Sequence, residues 1–317
     1  MACVGSLQSI VAWQSSHDLW YGNLNTLAEC IVRKPRTMKF LPAGRLLLTV
    51  TLVLLVLVGC AAPLLYNHAD WLLTWQIDRY FDLTRSQRSF VSGRLSTLLE
   101  DHRHEALPRY EDVIRQAATR IQRGLTDEDV EWAIKQYDLL RIDLLVRFAP
   151  DGAEFFRLVR DPQLPHVERA LHQRLAEQEA SLHEPIQTRL AARKERVLKL
   201  VREWLGPISN EQERQIAERV MAFPDTAPLI YSHQRRRNDQ LMALLNLRMQ
   251  QDTPDKLRAW LIDQEADPAY LNATREFRHH LKDLVLALDR MATPIQRLHV
   301  IAKLDDLART VQKLHKI

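Results

Sequence analysis

The chain is poor in the residues that make tight turns and covalent frameworks. It has 8 Gly, 14 Pro and 3 Cys in 317 residues. Three cysteines exclude a disulfide scaffold, and so few glycines argue against the phosphate-cradling loops and tight hairpins of β and α/β enzymes. Aromatic residues make up only 7% of the chain. Motifs are sparse as well: there is no GxSxG, HExxH, P-loop or dinucleotide fingerprint. What is present is ordinary for a folded chain, 46% hydrophobic and 26% charged residues with a net charge of +4. The pattern predicts an all-α protein, an elongated bundle of about ten helices with no sheet.

One apolar run stands out. Lys39 and Arg45 precede Leu46 to Val58, thirteen residues without charge. That length and those flanks fit a secretory signal better than a membrane span, which needs roughly 20 apolar residues. Leu57-Val58-Gly59-Cys60 resembles the bacterial lipobox. The resemblance implies cleavage before Cys60, lipidation of its thiol, and, with Ala61 following, sorting to the periplasmic face of the outer membrane; the inner membrane and an uncleaved anchor are the second readings. Cys3 and Cys30 lie upstream of the cut, so Cys60 is the only cysteine of the mature chain. Residues 1–37 precede the signal as an extension, and Met38 is the favoured start. Residues 38–59 are then the signal peptide and 60–317 the periplasmic body. Without residues 1–59 the chain keeps 39 cations against 38 anions, a net +1. A nucleic-acid partner therefore has no electrostatic basis.

Beyond Asp70 the chain reads as successive helices marked by capping chemistry. Thr84 with Gln87, and Ser209 with Gln212, are capping boxes, and Thr293-Pro294 and Thr253-Pro254 place Pro at the first helical position. The expected helices span about 68–82, 85–101, 106–123, 127–147, 165–205, 210–222, 227–250, 254–265, 273–291 and 294–315. Breaks are expected at Arg147 to Gly152 and at Gly206-Pro207, so two packed halves would meet near 150–165 or 206. The two capping boxes stand 125 residues apart, each followed by an amphipathic helix and a His/Arg cluster, which is the pattern an internal duplication would leave.

Candidate functional residues gather in two stretches. Trp71, Trp75, Asp78 and Asp82 share a stripe of the first helix, and His102, Arg103, Arg109 and Tyr110 follow the second. One reading makes them a single polar-aromatic cluster in which Arg79, Arg103 or Arg109 neutralises the Asp pair and the tryptophans are core. The other makes Asp78 and Asp82, or Glu105, an acid/base set beside an aromatic platform for cell-wall glycan. The spacing His102-Arg103-His104 offers at most two metal ligands, and His279-His280 diverge on a helix, so neither a metal nor a cofactor is expected. Arg235-Arg236-Arg237 is read as a solvated face.

The stretches Leu57 to Cys60, Tyr66 to Trp71, Asp78 to Thr84 with Gln87, His102-Arg103 with Leu107 to Tyr110, and Glu203 to Pro207 together resemble a family of proteobacterial lipoproteins of unknown function. That likeness implies an envelope location and a helical body, and brings no activity. A weaker similarity, in Leu83 to Gln87 and Ile208 to Gln212, is to small periplasmic helical chaperones with Leu-Thr-x-x-Gln motifs. The expected function is a lipid-anchored envelope binding protein with an adaptor or chaperone-like role and an envelope protein as partner. The glycan-acting enzyme is the alternative.

Overall fold

A computed structural model describes residues 66–262 and 266–316. Cys60, the apolar run and residues 1–37 lie outside the described residues. From Ala69 to Ile317 the chain forms one compact unit, and its described residues contain no strand. Its helices are α1 (Ala69–Phe81), α2 (Arg85–Asp101), α3 (Leu107–Arg123), α4 (Asp127–Leu158), α5 (Leu164–Leu182) and α6 (Ile186–Leu205), followed by α7 (Asn210–Met221), α8 (Ala227–Asn246), α9 (Thr253–Leu261), α10 (Pro268–Met291) and α11 (Pro294–His315). A π turn, His102–Ala106, joins α2 to α3, and a 3-10 turn, Asp161–Gln163, precedes α5.

Two of the expected boundaries move. The segment from Arg147 to Gly152 does not break the chain: α4 runs through Pro150 for 32 residues. An internal proline costs a helix roughly 3 kcal/mol. Here Pro150 is exposed, while Ala149, Ala153, Phe155 and Phe156 beside it are buried. Burial of each large apolar side chain contributes about 1.5–3 kcal/mol, enough to carry the helix through. Conversely, the expected single helix over 165–205 is two. Pro185 lacks an N–H and disfavours helical backbone at Glu184, so α5 stops at Leu182. The guanidinium of Arg189 then donates to the Leu182 and Glu184 carbonyls, capping the end that the proline exposes.

The core crosses the sequence halves. Leu83, Val91, Leu95, Phe155, Phe156, Val167 and Leu171 pack with Leu244, Leu245 and Leu257 from α8 and α9. Ring contacts tighten it, with Phe81 set edge-on to Phe155 at 5.0 Å. Gly152 permits the approach of α9 to α4: a Cβ there would lie 3.0 Å from Leu257 Cδ2. At the other side α11 packs along α3 and also touches α6.

Two pairs of glutamines organise these helices. The Thr84 capping box forms as expected, the Gln87 Oε1 accepting the Thr84 N–H at 2.9 Å. The rest of that amide reaches 76 residues along the chain. Its Nε2 donates to the Leu158 carbonyl at the end of α4 and to Gln163 Oε1, at 2.6 and 2.9 Å. Gln163 reciprocates: Oε1 accepts the Arg160 N–H, and Nε2 donates to the carbonyls of Phe81 and Asp82 at the end of α1. The same device recurs with Gln212 and Gln296. Each Oε1 accepts the N–H of its own cap, Ser209 or Thr293. The two Nε2 groups donate to Met291 O at the end of α10 and to Pro207 O just beyond α6, and to one another's Oε1. The repetition suspected from the capping boxes is thus a repeated joint between two helix–helix corners.

Each clasp closes helix starts and helix ends that would otherwise lack partners. Gln87 is almost fully buried, and removing its amide strands a backbone N–H and a carbonyl inside the protein. Gln87→Ala is expected to lower unfolding free energy by about 2–4 kcal/mol, and Gln212→Ala, at a wetter joint, by about 1–2 kcal/mol. Urea denaturation at neutral pH measures both.

Candidate functional site

The sequence grouped eight residues into one polar-aromatic cluster, and the structure divides them. Trp71, Trp75, Asp78 and Asp82 belong to α1 and its C-terminal turn. His102, Arg103, Arg109 and Tyr110 belong to the α2–α3 joint. Between them stands α2, whose 17 residues measure about 25 Å.

At the α1 end, Asp78 shapes a turn. Its Oδ1 accepts the Leu83 N–H at 2.9 Å, and its carboxylate takes Arg88, not the expected Arg79, Arg103 or Arg109, at 2.7–2.8 Å. The turn passes through Asp82 at φ 48°, a left-handed conformation that Asp tolerates better than most side chains. Partial burial pushes the Asp78 carboxyl up, but the Arg88 hydrogen bond, the Leu83 N–H and the charges of Arg88 and His166 outweigh it and hold it below the usual range. A carboxylate so held serves as an ionised cap, not as a proton donor at neutral pH. The tryptophans are not core either. Trp71 is 64% exposed and Trp75 36%, because Leu73, Ile77, Tyr80 and Phe81 occupy the inward face of α1.

At the far end of α2, Pro108 cannot donate to the carbonyl four residues back, and the helix widens there. The Leu107 N–H donates to the His102 carbonyl five residues back, the π register. That widening sets His102 against Tyr110, with Nε2 to Oη 3.3 Å and the rings edge-to-face at 5.3 Å. Arg147 of α4 joins Glu105 and Asp143, and Arg109 joins Asp143 as well. Arg103 leaves this group and donates to the Leu314 carbonyl near the end of α11. A cleft of about 200 Å³ opens beside the joint, lined by Thr97, Asp101, His102, Leu144, Arg147 and Asp151 among others.

Burial first, and Arg147 second, push His102 down to about 4, against the opposing charge of Asp143. Burial and Asp143 push the Tyr110 hydroxyl up. At neutral pH the pair is therefore an uncharged imidazole and an intact phenol sharing one hydrogen. Neither is tuned as a base or nucleophile near pH 7, and the adjoining Asp143 and Glu105 carboxylates bind arginine. This arrangement pins α2, α3 and α4 together. Among the described residues, no group of three or more His, Cys, Asp or Glu side chains is placed to hold a metal ion.

Several polar groups with clear structural work escaped the sequence. Asp129, nearly fully buried, accepts the Thr126 N–H and pairs with Arg120 and Arg123; chiefly through that N–H its carboxyl is held at about 2. Arg193, also buried, donates to the carbonyls of Val220, Phe223 and Pro224, closing the end of α7. The His233 ring lies flat on Tyr270 at 3.6 Å. Thr126 stands before Asp129 at capping-box spacing, but the other partners lie in other elements or across a corner, where local spacing carries no trace of them.

Within this helical body, clasped at its corners, the candidate groups Asp78, Glu105 and His102 are each bound to a neighbouring side chain. The chain belongs to a family of unknown function, DUF6279, whose pattern matches residues 79–308. The match contains Arg79 to Thr84, His102 to Tyr110 and Glu203 to Pro207; the lipobox-like stretch and Tyr66 to Trp71 fall outside it. No curated protein and no solved structure matches the chain.

The His102 joint has a definite pH signature. Its folded value lies below the ordinary histidine value of 6.5, so the folded state binds fewer protons between those limits. The stabilisation is complete above pH 6.5 and is lost as pH falls toward 4. Replacing His102 with Phe is expected to remove about 2 kcal/mol of the stability difference between pH 7 and pH 4.5. Urea midpoints of both proteins at the two pH values measure it.

Proposed function

We propose that this protein is a non-catalytic binding protein of the bacterial envelope, held to a membrane by its N-terminal segment and acting as an adaptor or chaperone. The sequence from Lys39 to Cys60 supports the location, with lipidation at Cys60 and the periplasmic face of the outer membrane as the site. No described helix is long and apolar enough to cross a membrane, so that segment would carry the attachment.

The observation that carries the binding role is the first turn of α11. Ile295 and Leu298 are 80% and 66% exposed and, three residues apart, share one face. The neighbouring stripe of the same helix is occupied: His299 lies against Gly206, and Lys303 sits over the Trp204 ring at 5.9 Å. Gly206 itself, at φ 80°, ends α6 in a conformation that glycine adopts without strain. The apolar pair is thus presented outward from a rigid corner, beside the Gln212–Gln296 clasp. A partner helix or an unfolded segment with apolar side chains fits such a surface.

The purified protein is expected to suppress light scattering by a chemically unfolded envelope protein at equimolar ratio. The double substitution Ile295→Ser, Leu298→Ser should reduce that suppression roughly twofold or more, because a few apolar anchors dominate such contacts. A photo-reactive residue at Leu298 should also yield protein adducts in intact cells. No suppression by the wild type, together with no adduct at Leu298, would overturn the reading.

A further inference from the structure

The exposed tryptophans of α1 require a separate account. Trp132, Trp204 and Trp260 are each half-buried, with Arg120, Lys303 and Arg237 respectively over their rings. The indole N–H of Trp260 also donates to the Arg237 carbonyl. Trp71 and Trp75 differ: they are the exposed tryptophans among the described residues, four apart on one stripe that continues to exposed Arg79. The Arg79 guanidinium stands 5.2 Å from the Trp75 ring. The opposite face of α1 is committed to the core through Leu73, Ile77, Tyr80 and Phe81, so this stripe is directed away from the body.

Position in the chain identifies what covers it. Trp71 follows Cys60 by eleven residues and follows the uncharged Leu46–Val58 run by little more. Eleven residues span at most about 40 Å even fully extended. If that segment is fixed in a membrane, α1 lies within that reach of its surface. Indole rings favour the boundary between headgroups and acyl chains over both water and hydrocarbon, and an arginine beside them reaches back to lipid phosphate.

We infer that the Trp71–Trp75–Arg79 face of α1 rests in the headgroup layer of the phospholipid bilayer that holds the N-terminal segment. This inference depends on the membrane attachment proposed above. The seat fixes the orientation of the first helix, and thereby of the body, relative to the membrane.

The test uses the full-length protein, expressed with its N-terminal segment and reconstituted into phosphatidylethanolamine/phosphatidylglycerol vesicles, with or without bromine on the acyl chains near the headgroups. Flotation reports attachment, and bromolipid quenching of tryptophan emission reports depth. The wild type should float and be quenched. The double variant W71Y/W75Y, which keeps aromatic volume at two exposed positions, should float equally while the bromolipid-quenched emission falls roughly twofold. Circular dichroism checks that its helix content is unchanged. Equal flotation with unaltered quenching would overturn the seat and leave the attachment standing. Failure of the wild type to float would overturn both.

Discussion

Everything in this fold hangs on the problem of ending helices. A chain built of helices leaves unpartnered N–H groups at each start and carbonyls at each end, and a corner between two helices concentrates both. Many proteins end helices with a left-handed glycine, but this chain has only 8 glycines. Among its described glycines only Gly124 and Gly206 take a positive φ, and Asp82 does so at the end of α1. Elsewhere side chains substitute. A glutamine at the third position of one helix reaches back to its own cap and across to the final carbonyls of another helix. Two such glutamines facing each other close four helix termini with two amides. Arg193 and Arg189 finish other ends in the same spirit.

The charged residues follow the same economy. Asp78 caps a turn and Asp129 locks a capping box, while Asp143 and Glu105 tie α3 and the π turn to α4 through Arg109 and Arg147. These groups are spent on holding the scaffold. Among the large apolar side chains that face outward are Trp71 and Trp75 on α1 and Ile295 and Leu298 on α11.

Helix starts were legible because their chemistry is local. Thr84, Ser209 and Thr293 lie three residues before a glutamine, and each caps as that spacing implies. The fourth member of the set was not legible, since Arg160 caps nothing with its side chain and only the tertiary position of Gln163 gives the turn its role. The α1 stripe was misread for a related reason. Helical periodicity sorts residues into faces, but both Trp71/Trp75 and Leu73/Ile77/Tyr80 are apolar, and nothing within thirteen residues says which set meets the core. Pro150 misled because its cost is local while the burial that offsets it comes from α2, α5 and α9. The eight-residue cluster failed on length alone: a helix of about 25 Å separates residues that are neighbours in a list.

The clasps also differ in kind from the other joints of the molecule. A primary amide has no proton to gain or lose in the accessible pH range and gathers no counter-ions, whereas the arginine–carboxylate links respond to both acid and salt. The two amide clasps are therefore insulated from changes in the surrounding medium that the charged links feel. The arginine–carboxylate links that respond lie along helix sides, such as α3 against α4, and also beside the clasps, as Asp78–Arg88 at the α1–α2 corner and Arg202–Glu213 between α6 and α7.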